Sequence, residues 1–279
     1  MTGPPVAVVA DSACDLPPHR AQEAAIRLVP LTVTFGEESF LDGTQLSPER
    51  FWEKVADGAF PTTASPSPQA LVDAYERAAA DGAPGVVSVH LSSHLSRTGE
   101  TARQAAASAS VPVEVIDSRS VSMGQGLVAL AAAGEAMRGG GLGAVAAAAR
   151  SAADRLTVAA MLDTVEFLKR GGRVGAARAA LSDLLRIRPV LSLEGGEPIL
   201  AARARTRARA LDEAMRMVSG PAERAAVFHA GAPEAAQVAK RLASACGVEP
   251  EVGLIGAVTG AHLGPRAIGL AVVRRGVRG

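Results

Sequence analysis

Four short segments of the sequence place hydroxyl side chains where strand-like runs end. A single histidine, His262, lies among small residues in VTGAHLGPRAIG (258–269). Hydroxyls, backbone N–H groups and an imidazole offer hydrogen bonds without strong positive charge. That set suits a carboxylate or a polar head group better than a polyphosphate, for which arginine and lysine are the usual ligands. The four segments are residues 11–12, 62–67, 92–98 and 117–120.

Each feature also has an ordinary structural interpretation. A single Ser- and Thr-rich segment is typical of a turn or a helix cap, and a buried histidine often bonds a backbone carbonyl. In an open parallel sheet, however, ligands bind outside the carboxyl ends of the strands. Four such segments at one sheet edge therefore predict a binding site there.

Motifs for nucleotides, covalent catalysis and metals are missing or incomplete. The sequence has no G-x-x-x-x-G-K-[ST] and no G-x-S-x-G. The run GQGLVA (124–129) lacks the strand with an acidic end that a dinucleotide site needs, and GGGLG (139–143) follows a helix, as a C-cap does. His90 and His94 have no carboxylate with them, and Cys14 and Cys246 are far apart. We therefore expect no cofactor and no metal ion.

The first half of the chain alternates strand-like and helix-like segments. Ser47-Pro48 and Ser67-Pro68 resemble an N-cap followed by proline at the first helical position. Strands that are apolar throughout and separated by helices predict a parallel sheet covered on both faces. The strand-like runs are VAVVAD (6–11), LVPLTVTF (28–35), GVVSVHL (85–91) and PVEVID (112–117).

From Thr157 the pattern changes to closely spaced strands with helices near 204–219 and 233–245. This change predicts a second α/β unit and a boundary near residue 155, giving domains 1–155 and 156–279. The strand-like runs here are TVAAML, RPVLSL, AAVFHA, EVGLIG and GLAVVRR.

Composition narrows the function classes. Hydrophobic residues make up 48% of the 279 residues and the net charge is +1, which gives no electrostatic case for nucleic acid as a partner. The chain begins without a signal-like segment, and no apolar run reaches about 18 residues. We expect a cytoplasmic protein.

Taken in order, the motifs resemble the DegV family, the fatty-acid-binding proteins that serve bacterial fatty acid kinase. The resemblance runs from about Val6 to Val273. Its pieces are ADSACDL (10–16), TTASPSP (62–68), HLSSHLSRTGETA (90–102), IDSRSVSMGQG (116–126), LDTVEFLKRGGRVG (162–175), RPVLSLEGG (188–196), ARTRARAL (204–211) and GAHLGPRAIG (260–269).

The resemblance implies two α/β domains, the first with a parallel Rossmann-like sheet and the second with a mixed sheet. A long-chain fatty acid would be buried in a tunnel between them. Its carboxylate would be held by Thr63, Ser92, Ser93 and His262, with Ser93 the more important serine. The arginine of the R-T-R segment, Arg205, would act with the kinase.

In this picture the protein is a carrier without catalytic residues. A separate ATP-dependent kinase would phosphorylate the carboxylate, and the acyl phosphate would enter phospholipid synthesis. The set Arg203, Arg205, Arg207 and Arg209 would help to dock the kinase or contact a membrane transiently, although a solvated helix face explains the same pattern.

The sequence departs from the family pattern at a few positions. Ala64 and Ser65 replace the usual Ser-Gln, and Arg97 and Arg266 replace glycines. The two arginines add bulk and charge close to the predicted head-group site, where they bear on ligand access and partner docking.

Two other functions stay open on the sequence alone. The chain could be a self-sufficient hydrolase or phosphotransferase that uses His262 as base or nucleophile. It could also be a kinase subunit that binds a small polar ketone or sugar. Turnover of a substrate by the purified chain, with no kinase present, would indicate the enzyme. The identity of the bound ligand, a long acyl chain or a small polar molecule, would separate the two binding functions.

Overall fold

A computed structural model describes residues 4–173 and 187–276. The strands of this part are β1 (Ala7–Asp11), β2 (Ile26–Val29), β3 (Thr32–Phe35), β4 (Glu38–Leu41), β5 (Thr62–Ala64), β6 (Val86–His90), β7 (Val113–Asp117), β8 (Leu156–Met161), β9 (Arg188–Glu194), β10 (Glu197–Ala204), β11 (Ala222–His229), β12 (Glu251–Leu254) and β13 (Ile268–Arg274). The helices are α1 (Pro18–Glu23), α2 (Pro48–Ala56), α3 (Pro68–Ala80), α4 (Thr98–Ala106), α5 (Met123–Met137), α6 (Leu142–Asp154), α7 (Glu166–Gly171), α8 (Arg207–Val218), α9 (Ala235–Cys246) and α10 (Ala257–Leu263).

The first sheet is parallel and has the strand order β2-β1-β6-β7. Helices α3 and α4 cover one face, and α5 and α6 cover the other. Its two central strands, β1 and β6, are almost entirely buried because both of their faces are covered. The predicted parallel α/β sheet is confirmed.

The run 28–35, predicted as one strand, forms parts of two strands in different sheets. Pro30 lacks an N–H group and fixes its own φ angle, so the ladder ends at Val29. The chain then enters a small antiparallel sheet with the order β4-β3-β5. In this sheet Thr63 pairs with Val33, so the Thr-rich segment begins as a short edge strand.

The second large sheet is mixed and has the order β10-β9-β8-β13-β11-β12. Only β11 and β12 are parallel neighbours. Helices α8 and α9 pack on one face. Helix α8 begins at Arg207 instead of near 204, because β10 extends to Ala204 and the Thr206 hydroxyl caps the helix by accepting from the Arg209 N–H. Strand β10 was not predicted.

Helix α5 connects the two large sheets. It is apolar around most of its circumference, and 11 of its 15 residues are buried. One side packs on β1 and β6, and the other on β11 and β13. An element buried all round is expected where two layers share a helix. The parallel strands therefore form one lobe and the mixed sheet a second lobe on the same helix.

The strands divide cleanly along the chain. All four parallel strands end by Asp117, and all six strands of the mixed sheet begin at or after Leu156. This division supports a boundary between residues 155 and 156, which stays a prediction.

Phe228 and Gly269 are directly paired on β11 and β13. The Phe228 ring covers Gly269 so closely that a Cβ at residue 269 would lie 2.0 Å from two ring carbons. The ring can take this place only because residue 269 has no side chain.

Gly269→Ala should therefore lower the free energy of unfolding by about 1–3 kcal/mol, because the buried ring must move. Gly134→Ala, near the C-terminal end of α5, is the matched control. Its Cβ would meet only arginine side-chain ends, at 3.4 Å and 3.7 Å, so helix propensity should make it neutral or stabilising by up to ~1 kcal/mol. Urea unfolding measures the free energy of unfolding of both variants. Equal changes in the two variants would contradict the packing argument.

Candidate functional site

A cavity of about 370 Å³ lies where the two lobes meet. This volume is within the range of about 300–1,000 Å³ that is usual for small-molecule sites. The cavity is lined by side chains of the first lobe, the mixed sheet and helix α10. A ligand bound there would contact both lobes.

Most of the cavity wall is aliphatic. Residues of both lobes contribute, and among the described residues no Asp or Glu lines the wall. An apolar wall without carboxylates suits a hydrocarbon chain and excludes a ligand that needs many polar contacts. Representative apolar lining residues are Leu91, Val121, Val158, Leu191, Leu193 and Phe228.

The polar groups of the cavity include three of the four residues predicted to hold a carboxylate. Thr63, Ser93 and His262 all line it. Thr63 lies on β5 and His262 on α10, and the Thr63 Oγ1 and His262 Nε2 atoms are 3.1 Å apart. Ser93 follows β6 and is exposed, so it lies where the cavity opens to solvent. The arrangement concentrates neutral hydrogen-bonding groups at this end.

His262 is held as a neutral imidazole. Burial, and to a smaller extent the nearby Arg173 guanidinium, lowers its pKa from 6.5 to about 4. The Nδ1 atom is buried without a hydrogen-bond partner. It lies against Gly171, where a Cβ would be 2.1 Å away. The ring is therefore fixed on one side by close packing and on the other by Thr63.

Two buried carboxyl groups hold the helix that carries His262. Asp15 accepts the Gly256 N–H at 3.0 Å and the Ser122 hydroxyl at 2.6 Å. Asp42 accepts from the Ala257 N–H. These bonds satisfy N–H groups at the start of α10 that have no partner within the helix. They fix α10 from two separate segments of the first lobe.

These carboxyl groups are hard to ionise. Burial, helped by the nearby Asp42 and opposed by the bond from Ser122, raises the pKa of Asp15 from 3.8 to about 8. Burial likewise raises the pKa of Asp42 to about 6, although its bond from Ser12 lowers it. Close to neutral pH the pair carries less than two full charges.

A second network fixes the start of the Ser93 loop. Asp11 Oδ2 accepts from His90 Nδ1 at 2.9 Å and from the Leu91 N–H at 3.1 Å. Ser88 Oγ lies 2.8 Å from His90 Nε2 and accepts from the Tyr75 hydroxyl at 2.9 Å. The Asp11, Ser88 and His90 side chains have the contacts of a catalytic triad, but all three are fully buried. No substrate reaches them, and their bonds direct the chain as it leaves β6.

Segment 117–120 also supports the Ser93 loop. The Asp117 carboxylate accepts from the Ser93 N–H at 3.3 Å and from the Arg119 N–H at 2.8 Å. Ser118 and Ser120 are buried and do not line the cavity. Of the four hydroxyl-rich segments, 62–67 and 92–98 therefore form the wall, while 11–12 and 117–120 hold it in place.

Ser92, predicted to bind the carboxylate, is engaged elsewhere. Its hydroxyl donates to the Gly196 carbonyl at 2.7 Å and accepts from the His94 N–H at 3.2 Å. It is fully buried and does not line the cavity. In this arrangement its only proton is already donated, so it has none for a ligand.

Ser65 and Arg97, which depart from the family pattern, both line the cavity. The Ser65 hydroxyl lies 3.2 Å from both Ser96 Oγ and Thr98 Oγ1, which joins segments 62–67 and 92–98. Arg97 pairs at the surface with Glu100. The serine thus strengthens the wall, and the arginine is held in solvent.

The arginines predicted to form one helix face are on different elements. Arg203 lies on β10, and Arg207 is partly buried in ion pairs with Asp163 and Glu234. Arg205 is exposed between β10 and α8 and does not line the cavity.

Arg266, the other departure, adopts a left-handed φ of 60°, a conformation that glycine adopts at less cost. Its Nε atom lies 3.2 Å from Asp163 Oδ2, so this ion pair holds the side chain away from the cavity wall.

Sequence reasoning missed three polar residues of the wall, Thr259, Arg173 and Ser192. Thr259 precedes His262 by three residues, which on a helix places both on one face. That spacing was a usable signal, but segment 257–263 had not been predicted as a helix. Arg173 follows α7 and shows no pattern that distinguishes it from the other arginines.

The similarity of this sequence to known proteins extends over nearly the whole chain. A family model described as an uncharacterised protein of the DegV family matches residues 5–275. A DegV domain-containing protein of Streptomyces coelicolor is 38% identical over 277 residues, covering 97% of this chain and 99% of the relative. A DegV domain-containing protein of Deinococcus radiodurans is 34% identical, covering 96% and 98%.

Solved structures show the same fold. A DegV family protein from Thermus thermophilus, described for its fatty acid binding, has a TM-score of 0.87 and 34% identity, covering 97% of this chain and all of that one. DegV from Bacillus subtilis, described as a fatty acid binding protein, has a TM-score of 0.85 and 30% identity, covering 97% and 99%.

Membrane-spanning helices and groups of metal ligands were considered next. Across residues 4–173 and 187–276, no helix has the length and apolar character needed to cross a membrane. In that same part of the chain, no three His, Cys, Asp or Glu side chains come together as metal ligands.

The His262 imidazole should titrate with a pKa well below 6.5, close to 4. The unfolded chain then takes up this proton first, so its contribution to stability falls as pH drops from 6.5 towards 4. NMR of the histidine ring signals between pH 3 and 8 measures this, with His262→Gln assigning the resonance. A midpoint close to 6.5 would contradict the buried, neutral assignment.

Asp15→Asn should flatten the pH dependence of stability. Because the pKa of Asp15 is raised, the folded state holds a proton that the unfolded state releases, so stability falls as pH rises from 3.8 towards 8. The variant should shrink the difference in unfolding free energy between pH 5 and 8 by at least about 1.4 kcal/mol.

Ser122→Ala is the opposing control, because it removes a bond that lowers the pKa of Asp15. It should steepen the same decline. Urea unfolding at each pH measures both variants, and parallel curves for wild type and Asp15→Asn would refute the argument.

Proposed function

The chain belongs to the DegV family, and from this premise we propose that it binds a long-chain fatty acid in the cavity between its lobes. The acyl chain lies along the aliphatic wall, and the carboxylate lies at Thr63, Ser93 and His262. The observation that carries the proposal is a largely apolar cavity that has no acidic residue among its described lining and whose polar lining includes the neutral side chains of Thr63, Ser93 and His262. The Thermus and Bacillus relatives, described as fatty-acid-binding, support it.

Burial of the acyl chain supplies the affinity. Each methylene removed from water contributes about 0.8 kcal/mol, so a chain of about 16 carbons contributes roughly 12 kcal/mol before the costs of binding. Only an apolar enclosure realises this energy. The aliphatic side chains of both lobes around the cavity provide one.

The carboxylate is the difficult end, because an unpaired charge out of water costs several kcal/mol. Thr63 and Ser93 each have a hydroxyl to donate. The Thr63 proton becomes available when His262 donates its own Nε2–H to Thr63 Oγ1, across the 3.1 Å contact. The neutral imidazole thus aligns the threonine and does not bind the ligand as a cation.

The local charge also favours an anion. The Arg173 guanidinium is close enough to lower the pKa of His262. Among the described residues that line the cavity none is acidic. A carboxylate bound in the cavity is therefore attracted by Arg173 and is not repelled by any described lining residue. A neutral sugar or ketone would gain nothing from this charge distribution.

We further propose that the chain is a cytoplasmic carrier that presents the fatty acid to a separate ATP-dependent kinase, which forms the acyl phosphate. Ser93 is exposed, so a carboxylate bound there is within reach of a partner. Arg205 is exposed outside the cavity and is available to contact such a partner. The buried Asp11-His90-Ser88 network offers no accessible nucleophile, which favours a carrier over a self-sufficient hydrolase.

Thr63→Ala and Ser93→Ala should each weaken fatty acid binding about tenfold or more, because each removes a bond to a charged group. The double variant should retain almost no lipid. Extraction and mass spectrometry of the co-purified ligand, followed by titration of the delipidated protein with palmitic acid, measure this.

Thr62→Ala is the matched control, since Thr62 is the exposed neighbour on β5 and does not line the cavity. It should retain lipid like wild type. Undiminished lipid in the double variant would count against the carboxylate site, and a small polar ligand in the wild-type extract would count against fatty acid binding. Turnover of the acid by the purified chain with ATP alone would contradict the carrier role.

A further inference from the structure

The Ser92 hydroxyl forms a buried hydrogen bond between the two lobes. Ser92 follows β6 in the first lobe, and the Gly196 carbonyl that it contacts at 2.7 Å lies in the turn between β9 and β10 in the second. Ser92 is fully buried, and Gly196 is buried as well. A hydrogen bond shielded from water is not readily replaced by a bond to solvent.

The turn that receives this bond is shaped for close approach. Gly196 has a left-handed φ of 97°, and a Cβ there would lie 2.5 Å from Ser92 Oγ and 3.1 Å from Arg119 Cα. The preceding Gly195 also has a left-handed φ, of 58°, but has nothing within 4 Å of its Cβ position. Only the second glycine of the turn is pressed against the first lobe.

Both partners of the bond adjoin the cavity. Ser93, next to Ser92, lines the polar end, and Leu193 and Pro198, on either side of the turn, line the apolar wall. The Ser92 N–H is itself held by the Ser120 carbonyl at 2.7 Å, and its hydroxyl accepts from the His94 N–H. The bond to Gly196 therefore connects a well-anchored loop to the hairpin that forms the opposite wall.

We propose that the Ser92–Gly196 bond is a latch that holds the two lobes closed around the acyl cavity. Ser92 is then a positioning residue that controls how fast ligand enters and leaves, and its neighbour Ser93 determines how tightly the carboxylate is held. The inference rests on the proposed function, because it takes the occupant of the cavity to be a fatty acid.

The two adjacent serines should have different kinetic signatures. Loss of a latch lowers the barrier in both directions, so Ser92→Ala should raise the association and dissociation rates of a fatty acid together. One neutral hydrogen bond corresponds to roughly a three- to tenfold change in each rate, with the dissociation constant changing less than about twofold. Ser93→Ala should raise the dissociation rate alone, as is usual when a direct contact is lost.

Stopped-flow binding of cis-parinaric acid, a fluorescent straight-chain fatty acid, to delipidated protein measures both rates. Ser219→Ala is the matched control, because the Ser219 hydroxyl donates to the Met215 carbonyl of helix α8 within the second lobe and Ser219 does not line the cavity. It should leave both rates unchanged.

The glycine pair tests the other side of the latch without touching Ser92. Gly196→Ala should push the turn away from Ser92 and raise both rates as Ser92→Ala does. Gly195→Ala, with open space around its Cβ position, should not. Thermal melts of all five variants show whether each is folded at the temperature of the measurement.

Hydrogen exchange provides a reading that needs no ligand. Ser92→Ala should speed amide exchange in segments 90–96 and 190–200 of the delipidated protein, and Ser219→Ala should not speed exchange in 190–200. The expected change in exchange does not depend on a ligand. If the wild type binds no fatty acid, the proposed function is wrong, but the exchange measurement still tests the latch. Unchanged exchange in 190–200, or a Ser92→Ala effect confined to the dissociation rate, would overturn the latch.

Discussion

A carboxylate removed from water must meet donors, and in the proposed site these are the neutral hydroxyls of Thr63 and Ser93, the first of them aligned by the neutral imidazole of His262. Thr63 comes from an edge strand, Ser93 from a loop and His262 from a short helix. Neutral donors are effective only at the right distance and angle. Much of the polar interior serves this need, because each element that carries a donor is itself held by buried hydrogen bonds.

The supporting bonds come largely from acidic residues of the first lobe. Asp11 and Asp117 fix the loop that carries Ser93, and Asp15 and Asp42 fix the helix that carries His262. None of the four lines the cavity. Carboxylates thus hold the donors from behind, while the described residues of the cavity wall include no negatively charged side chain. The raised pKa values of Asp15 and Asp42 reflect the burial that this support requires.

The cavity lies between two lobes that share the buried helix α5, so the lobes cannot separate by small movements. Helix α5 is buried between both sheets, and its Gly126 approaches the Cys14 carbonyl so closely that a Cβ would be 3.0 Å from it. The glycines that superficially fit a dinucleotide motif therefore serve packing. With the lobes joined through α5, ligand exchange has to use weaker contacts at the cavity edge, and the Ser92–Gly196 bond is one of these.

The sequence by itself determined the parallel sheet, the second α/β unit and the family, because apolar runs and ordered motifs are local properties of the chain. It also singled out Thr63, Ser93 and His262, which line one cavity, and Thr63 and His262 are in contact although 199 residues separate them. It did not reveal β10, the break at Pro30, or the cavity-lining Thr259 and Arg173. The family resemblance ranked Ser93 above Ser92, but only the tertiary structure showed that Ser92 bonds Gly196 and does not line the cavity. Neighbouring side chains in a loop point in different directions, and what each one meets is set by packing against residues distant in sequence.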